Sequence, residues 1–426
     1  MASVPRGAAG VRRRAVVGAV GLAAGALLVG CGGAARARGR TAARPRPADG
    51  VTLRLPAPTG PHRIGVTGLY LVDRTRRDPW DRSIPVREVV VTVLYPARTV
   101  RGCPVARQMT QGAAAMFREL DARVHGLPRS GVNWAATATH AHTGAPAQPV
   151  PRPVILYSPG GGDPRTLGTG LAEELASHGH VVVTVDHPGD ASEVEFPNTT
   201  AYRPTPYRTT VFRDDPRRHP ERARTMIDAR IADLRFVLDQ LAVLTAGGNP
   251  DAAGRALPEH LGQAIDLERV GCYGHSAGGT AAAEALYEDR RIGAAINLEG
   301  YLDRPADRPG RPGELYPVAR HGVDRPLLLL GTDGFTGTQE ARRELERSWA
   351  AMLAHPHSRT RRRQLDHALH WMFTDYAAMA PQLQAAGLLT AGARRALVGT
   401  LDPAVSVPAV RHHVRSFFAR HLSRRR

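Results

Sequence analysis

The chain has 426 residues, of which 42% are hydrophobic and 23% charged, the make-up of an ordinary globular protein with room for one large domain or two modest ones. Its formal charge of +18 at pH 7 is carried entirely by Arg, with no Lys, and these residues are scattered apart from Arg12-Arg13-Arg14, Arg361-Arg362-Arg363 and Arg424-Arg425-Arg426. No basic patch is interleaved with aromatic residues and no nucleic-acid motif is present, so the charge reads as solvated surface and excludes a nucleic-acid partner.

Residues 1–30 read as a targeting segment rather than structure. Arg12-Arg13-Arg14 is a positive start, residues 15–29 are an apolar run too short and too rich in Gly and Ala to span a membrane, and Leu28-Val29-Gly30-Cys31 resembles a bacterial lipobox. That resemblance implies cleavage before Cys31, lipidation of its sulfur and a membrane anchor outside the cell; a plain secretory signal is the alternative. Residues 31–60, rich in Gly, Ala, Arg and Pro, predict a flexible tether, and residues 61–426 a catalytic domain.

Residues 64–72 and 86–95 are β-rich runs that predict a leading antiparallel pair. Residues 97–150 read as an insertion, in which Met109, Ala113, Met116, Phe117, Leu120 and Val124 recur at helical spacing; core packing is the favoured reading and a lid or acyl pocket the other. The continuously apolar residues 154–157 predict a strand buried in a parallel sheet. Ser158-Pro159-Gly160-Gly161-Gly162 follows, then a helix over 167–177 and a second buried strand over 181–185. This glycine-rich turn has neither the spacing of a dinucleotide fingerprint nor a Lys for a P-loop; a backbone N–H presented to an oxyanion suits it better. Residues 187–217 form a polar, Pro-containing excursion, and 221–245 carry apolar residues at helical spacing up to the Gly247-Gly248-Asn249-Pro250 break.

Next comes Cys272-Tyr273-Gly274-His275-Ser276-Ala277-Gly278-Gly279, between an apolar strand and the small-residue helix pattern from Thr280. Gly274-His275-Ser276-Ala277-Gly278 fits the Gly-x-Ser-x-Gly nucleophile elbow of α/β-hydrolases. A strand that turns at once into a helix strains its central residue, and small neighbours let the backbone close in, which holds Ser276 clear of the sheet. The helix start places the Ala277 N–H where an oxyanion would form. Strands over 292–298 and 326–330, a helix over 339–353 and a terminal helix over 407–421 complete a doubly wound, mostly parallel α/β domain, the α/β-hydrolase fold.

A serine nucleophile needs a base and an acid behind it. Glu299 and Asp333 both follow strands at the expected sheet edge. Of the later histidines, His355 and His357 look like solvated surface, while His367 and His370 both suit the base. No Cys/His spacing suggests a metal, His140, His142, His412 and His413 read as surface residues, and no cofactor is expected; Cys103 and Cys272 predict free thiols.

Residues 63–376 resemble the plasma-type platelet-activating factor acetylhydrolases and their bacterial lipase relatives. The resemblance is carried by Val93-Leu94-Tyr95-Pro96-Ala97, by Ser158-Pro159-Gly160-Gly161-Gly162 with Pro in place of the family's His, by Ala176-Ser177-His178-Gly179-His180-Val181-Val182, by Asp186-His187, by the elbow, by Leu298-Glu299 in place of Leu-Asp, and by His370-Trp371-Met372-Phe373-Thr374-Asp375. It implies nucleophile Ser276, base His370, acid Glu299 with Asp333 as alternative, and oxyanion donors at Gly161 and Ala277. The implied activity is ester hydrolysis on short-chain or lipid acyl esters. Acyl transfer or polyester hydrolysis by the same residues is an alternative, and a non-catalytic surface lipoprotein is another.

Overall fold

The parallel centre of the sheet forms because its strands are apolar on both sides. In the computed structural model, which describes residues 50–306, 311–336 and 338–423, twelve strands are present. They are β1 (Ile64–Asp73), β2 (Arg87–Pro96), β3 (Val105–Arg107), β4 (Ala138–Thr143), β5 (Arg152–Ser158), β6 (Val181–Asp186), β7 (Glu193–Glu195), β8 (Tyr207–Thr209), β9 (Ile265–His275), β10 (Ile292–Leu298), β11 (Leu327–Thr332) and β12 (Thr360–Leu365). Ten make one sheet in the order β12-β11-β10-β9-β5-β6-β2-β1-β4-β3, and β7 and β8 form a separate hairpin. From β12 to β6 all neighbours are parallel; β2 runs antiparallel to both β6 and β1, as the leading pair predicts.

Side chains of successive strand residues point to opposite faces. Val154, Leu156, Val183, Cys272 and Ala295 enter one core, under helices Pro220–Thr245, Ala277–Glu288 and Gln339–Leu353. Ile155, Tyr157, Val182, Tyr273 and Ile296 enter the other, under helices Thr169–Ser177, Tyr376–Ala385 and Pro403–His421. With helices on both faces, the open positions lie beyond the C-terminal ends of the parallel strands, where this architecture places its ligands. This is the α/β-hydrolase arrangement.

Several expectations are corrected. Residues 50–60 are not tether: Leu53 and Leu55 are buried, Arg54 exchanges two hydrogen bonds with Gln382, and Arg411 holds the carbonyls of Pro56 and Ala57. The two leucines lie two residues apart, so both face inward from an extended segment. The 97–150 segment is more than an insertion, because β4 pairs with β1 and extends the sheet. Its apolar stripe is core at Met109 and Phe117 but not at Val124, which is exposed; the helix Gln111–Glu119 ends before it. The 187–217 excursion contributes the β7–β8 hairpin. β12, with sequence Thr-Arg-Arg-Arg-Gln-Leu, is an edge strand whose charges resist pairing with another chain, and for that reason it lacks an apolar signature. Cys103 and Cys272 are free thiols. The predicted targeting segment and Cys31 lie outside the described residues.

One buried carboxyl gives a pH signature. Glu284, on the helix after the elbow, is 1% exposed; Oε2 accepts the Val318 N–H at 3.1 Å and Oε1 has no partner. Burial pushes its carboxyl up to about 7, helped by Glu288 and Asp228 and opposed by the Val318 N–H and by Arg304. A pKa raised by folding gives stability that is complete below the unfolded value near 4.3 and is lost as pH rises through 7. Glu284→Gln should flatten that part of the profile, and the wild-type-minus-variant difference between pH 4 and pH 8 should approach ~3 kcal/mol in urea melts.

Candidate active site

The elbow is built by glycines at which any side chain would collide with backbone. A Cβ on Gly274 would lie 2.2 Å from Gly278 carbonyl atoms, and one on Gly278 would lie 2.0 Å from the Ser158 carbonyl oxygen. With both positions bare, β9 runs straight into helix Ala277–Glu288 and Ser276 takes φ 54°, ψ −122°, a region that non-glycine residues rarely occupy. The Ser276 N–H donates to the Leu298 carbonyl at 2.9 Å, which ties the elbow to the end of β10.

Glu299 follows β10 directly, also at positive φ (62°). Asn297 stabilises that turn: its side chain accepts the Gly300 N–H and donates to the Gly300 carbonyl, while Trp349 Nε1 donates to the same carbonyl at 2.9 Å. The Glu299 carboxylate is fully buried and bridges two elements. Oε1 accepts from the Thr332 N–H and, at 2.7 Å, from Thr332 Oγ1; Oε2 accepts from His370 Nδ1 at 2.8 Å. The extra methylene of Glu over Asp is thus accommodated by anchoring the far oxygen on the end of β11.

His370 opens the 3-10 turn His370–Phe373, and its N–H is held by the Phe335 carbonyl at 3.1 Å. Its ring meets Phe335 edge-on and lies 4.3 Å, centroid to centroid, from the ring of His275, the residue before Ser276. With Nδ1–H directed to the carboxylate, Nε2 keeps the lone pair a general base requires. His275 Nε2 in turn donates to the His370 carbonyl at 3.0 Å, so the elbow strand grips the base through its backbone.

The other predicted candidates are not brought to this point. Asp333 is half-buried and accepts the Ala368 N–H; the N–H groups of His367 and Ala368 hold its carboxyl below the usual range against the opposing effect of burial. It shapes the turn that leads to His370 instead of bonding to its ring. His367 is exposed, as is His357, and His355 Nε2 donates to the Ala319 carbonyl.

The glycine-rich turn faces the elbow. A Cβ on Gly161 would lie 3.5 Å from that of Ala277 and 3.2 Å from Met226 sulfur, whereas the Gly162 N–H is already taken by Asp190 at 2.9 Å. Neither the Gly161 nor the Ala277 N–H has an acceptor among the described residues. Gly161 therefore lies against Ala277, the residue after Ser276, and each keeps an N–H without a protein acceptor.

A buried polar network beneath this turn escapes a motif search. Arg230, fully buried, donates to Asp190 at 2.6 Å, Ser158 Oγ at 3.0 Å, the Gly160 carbonyl at 2.8 Å and the Pro159 carbonyl. Ser158 Oγ also meets His187 Nε2 at 2.9 Å, and His187 Nδ1 meets Asp233 at 2.9 Å. Arg87 closes the network with 2.7 and 3.1 Å bonds to Asp233. The available sequence signal was Arg230 and Asp233 interrupting the apolar face formed by Ile227, Ile231 and Leu234: charges on a buried face need partners.

Comparison with known proteins finds several similar chains. The family model described as platelet-activating factor acetylhydrolase, isoform II, matches residues 131–426. A probable 1-alkyl-2-acetylglycerophosphocholine esterase of Arthroderma benhamiae is 29% identical over 267 residues, covering 62% of this chain and 59% of that protein. The platelet-activating factor acetylhydrolase of Gallus gallus is 22% identical over 299 residues, covering 64% and 63%. The chain thus spans less than two thirds of the length of these relatives. Among solved structures, a ferulic acid esterase from Streptomyces cinnamoneus matches with a TM-score of 0.63 and 32% identity, over 87% of this chain and 94% of that one.

Proposed function

We propose that this chain, which belongs to the platelet-activating factor acetylhydrolase, isoform II, family, is a serine carboxylester hydrolase acting through Ser276, His370 and Glu299. The observation that carries the reading is the 2.8 Å bond from His370 Nδ1 to a Glu299 carboxylate fixed on Thr332, beside a serine held in a strained elbow. Ser276 Oγ attacks the ester carbonyl and passes its proton to His370 Nε2. Glu299 holds the imidazole tautomer and stabilises the imidazolium that forms. The N–H groups of Gly161 and Ala277 receive the oxyanion, each worth ~3 kcal/mol of transition-state stabilisation. Collapse expels the alcohol, protonated by His370, and water activated by the same imidazole then releases the acid.

The substrate class proposed is short-chain or lipid acyl esters, in keeping with the relatives named as an acetylglycerophosphocholine esterase and an acetylhydrolase. An aromatic acyl group is the second reading, favoured by the ferulic acid esterase that matches over most of its length. We also propose, on Leu28-Val29-Gly30-Cys31, that the chain is exported and lipid-anchored through Cys31.

Wild-type protein should take up one fluorophosphonate per chain, mapped to the Ser276 peptide, and should hydrolyse p-nitrophenyl esters. Acetate and butyrate turned over faster than octanoate and methyl ferulate would support the short-chain reading, and the reverse order with ferulate would support the aromatic one. Folded protein that neither labels nor turns over any of these esters is not a serine esterase.

A further inference from the structure

Close to His275, the residue before the nucleophile, lies a cluster that ester hydrolysis does not use. Asp121 and His125, from the 97–150 insertion, meet Asp163, which follows the glycine-rich turn. His125 Nε2 lies 3.5 Å from Asp121 Oδ1 and 3.6 Å from Asp163 Oδ1, and the side chains are 6%, 2% and 2% exposed. These separations are too long for good hydrogen bonds. They match the edge of a tetrahedron of donors around an ion bound at about 2.0–2.2 Å, which spans about 3.3–3.6 Å.

A second observation points the same way. The other oxygen of Asp163, Oδ2, has no hydrogen-bond partner, nor has Nδ1 of His275, and the two are 3.8 Å apart. His275 is fully buried and spends its Nε2 proton on the His370 carbonyl, so Nδ1 presents a lone pair toward a carboxylate oxygen. Two acceptors facing each other in a dry site repel unless a cation or donor joins them. The approach is open because residue 160 is glycine: a Cβ there would lie 2.3 Å from Asp163 Oδ2 and 3.1 Å from His275 Nδ1.

Aromatic side chains support the cluster. Tyr376 donates its hydroxyl to Asp121 Oδ2, and the Trp371 ring packs 4.0 Å from that of His125, orienting contacts of the kind that fix metal ligands.

We propose that Asp121, His125 and Asp163 bind one divalent transition-metal ion, with the fourth position open to water. Two carboxylates and one imidazole at the spacing of tetrahedral donors suit Zn²⁺, and not Ca²⁺ or Mg²⁺, which take oxygen ligands in larger number. The ion would clip the insertion to the end of the oxyanion turn, where Asp163 also faces the residue before the nucleophile. That consequence rests on the ester-hydrolase reading; the binding itself does not. The ligands are scattered between residues 121 and 163, so no spacing motif announces them.

The test is metal binding by the full chain. After dialysis against EDTA and then metal-free buffer, calorimetric titration should give one Zn²⁺ per chain at micromolar or tighter affinity. Co²⁺ should give the intense visible absorption of a four-coordinate site. His125→Ala and Asp121→Asn should each weaken Zn²⁺ binding at least 100-fold. Absence of stoichiometric binding, a weak six-coordinate Co²⁺ spectrum, or unchanged affinity in folded His125→Ala would each overturn the proposal. If neither variant folds, the wild-type Co²⁺ spectrum decides. Because metal binding is read without a substrate, an active chain that binds no metal sinks only this proposal, and a metal-binding chain that hydrolyses no ester sinks only the previous one.

Discussion

Glu299→Gln should lower kcat by about 10⁴-fold with KM little changed, while Asp333→Asn should stay within about tenfold of wild type. The carboxamide of Gln can still accept from Thr332, so the fold is kept, but its NH₂ can face His370 Nδ1 and force the opposite tautomer. Nε2 then carries the proton and cannot act as base. Glu299→Asp tests the same geometry differently. A side chain one methylene shorter cannot reach both Thr332 Oγ1 and His370 Nδ1, so an intermediate loss, about 10- to 100-fold, is expected. Asp333→Asn keeps an oxygen for the Ala368 N–H and leaves the ring of His370 untouched. Initial rates on p-nitrophenyl butyrate for the three variants decide the matter; a large loss in Asp333→Asn with a small one in Glu299→Gln would transfer the role to Asp333.

The contrast between these two acids shows what a sequence carries and what it does not. The elbow was legible because it is local: Gly274 and Gly278 are needed on either side of Ser276 by backbone collisions within one turn. The parallel core was legible for a similar reason, since β5, β6, β10 and β11 are short and each carries a mostly apolar run. The acid was not, because two strand ends offered one each and the choice is made by Thr332 and Asn297, whose roles depend on contacts across the sheet. β4 was missed as a sheet strand and only the Gln364-Leu365 end of β12 read as strand-like, because both sit near a sheet edge and carry polar residues; residues 50–60 were missed because their partners, Gln382 and Arg411, lie more than 300 residues away.

Arg230→Gln should cost about 3–5 kcal/mol of stability, and in the fraction that folds, kcat should drop about 10²–10³-fold with KM nearly unchanged. The substitution leaves Asp190 as a buried carboxylate without its 2.6 Å partner and removes donors from the carbonyls of Pro159 and Gly160. Those two peptides immediately precede Gly161, so their orientation sets where its N–H points. Arg230 touches neither the nucleophile nor its base; it is a positioning residue, and a kcat loss without a KM change separates that role from a general loosening of the site. Arg230→Lys should rescue little, because one ammonium cannot supply four acceptors held by a planar fork. The Ser158–His187–Asp233 chain has the connectivity of a catalytic triad, but its proton accounting is closed: Arg87 and His187 Nδ1 fill Asp233, so Ser158 donates to His187 Nε2 and accepts from Arg230. Burial, together with Arg230, keeps the His187 pKa low, and all three side chains are buried. A fluorophosphonate should therefore leave Ser158 unlabelled in Arg230→Gln as in wild type, so label on Ser158 would mean the turn had opened and that Arg230 holds more of the fold than its local bonds imply.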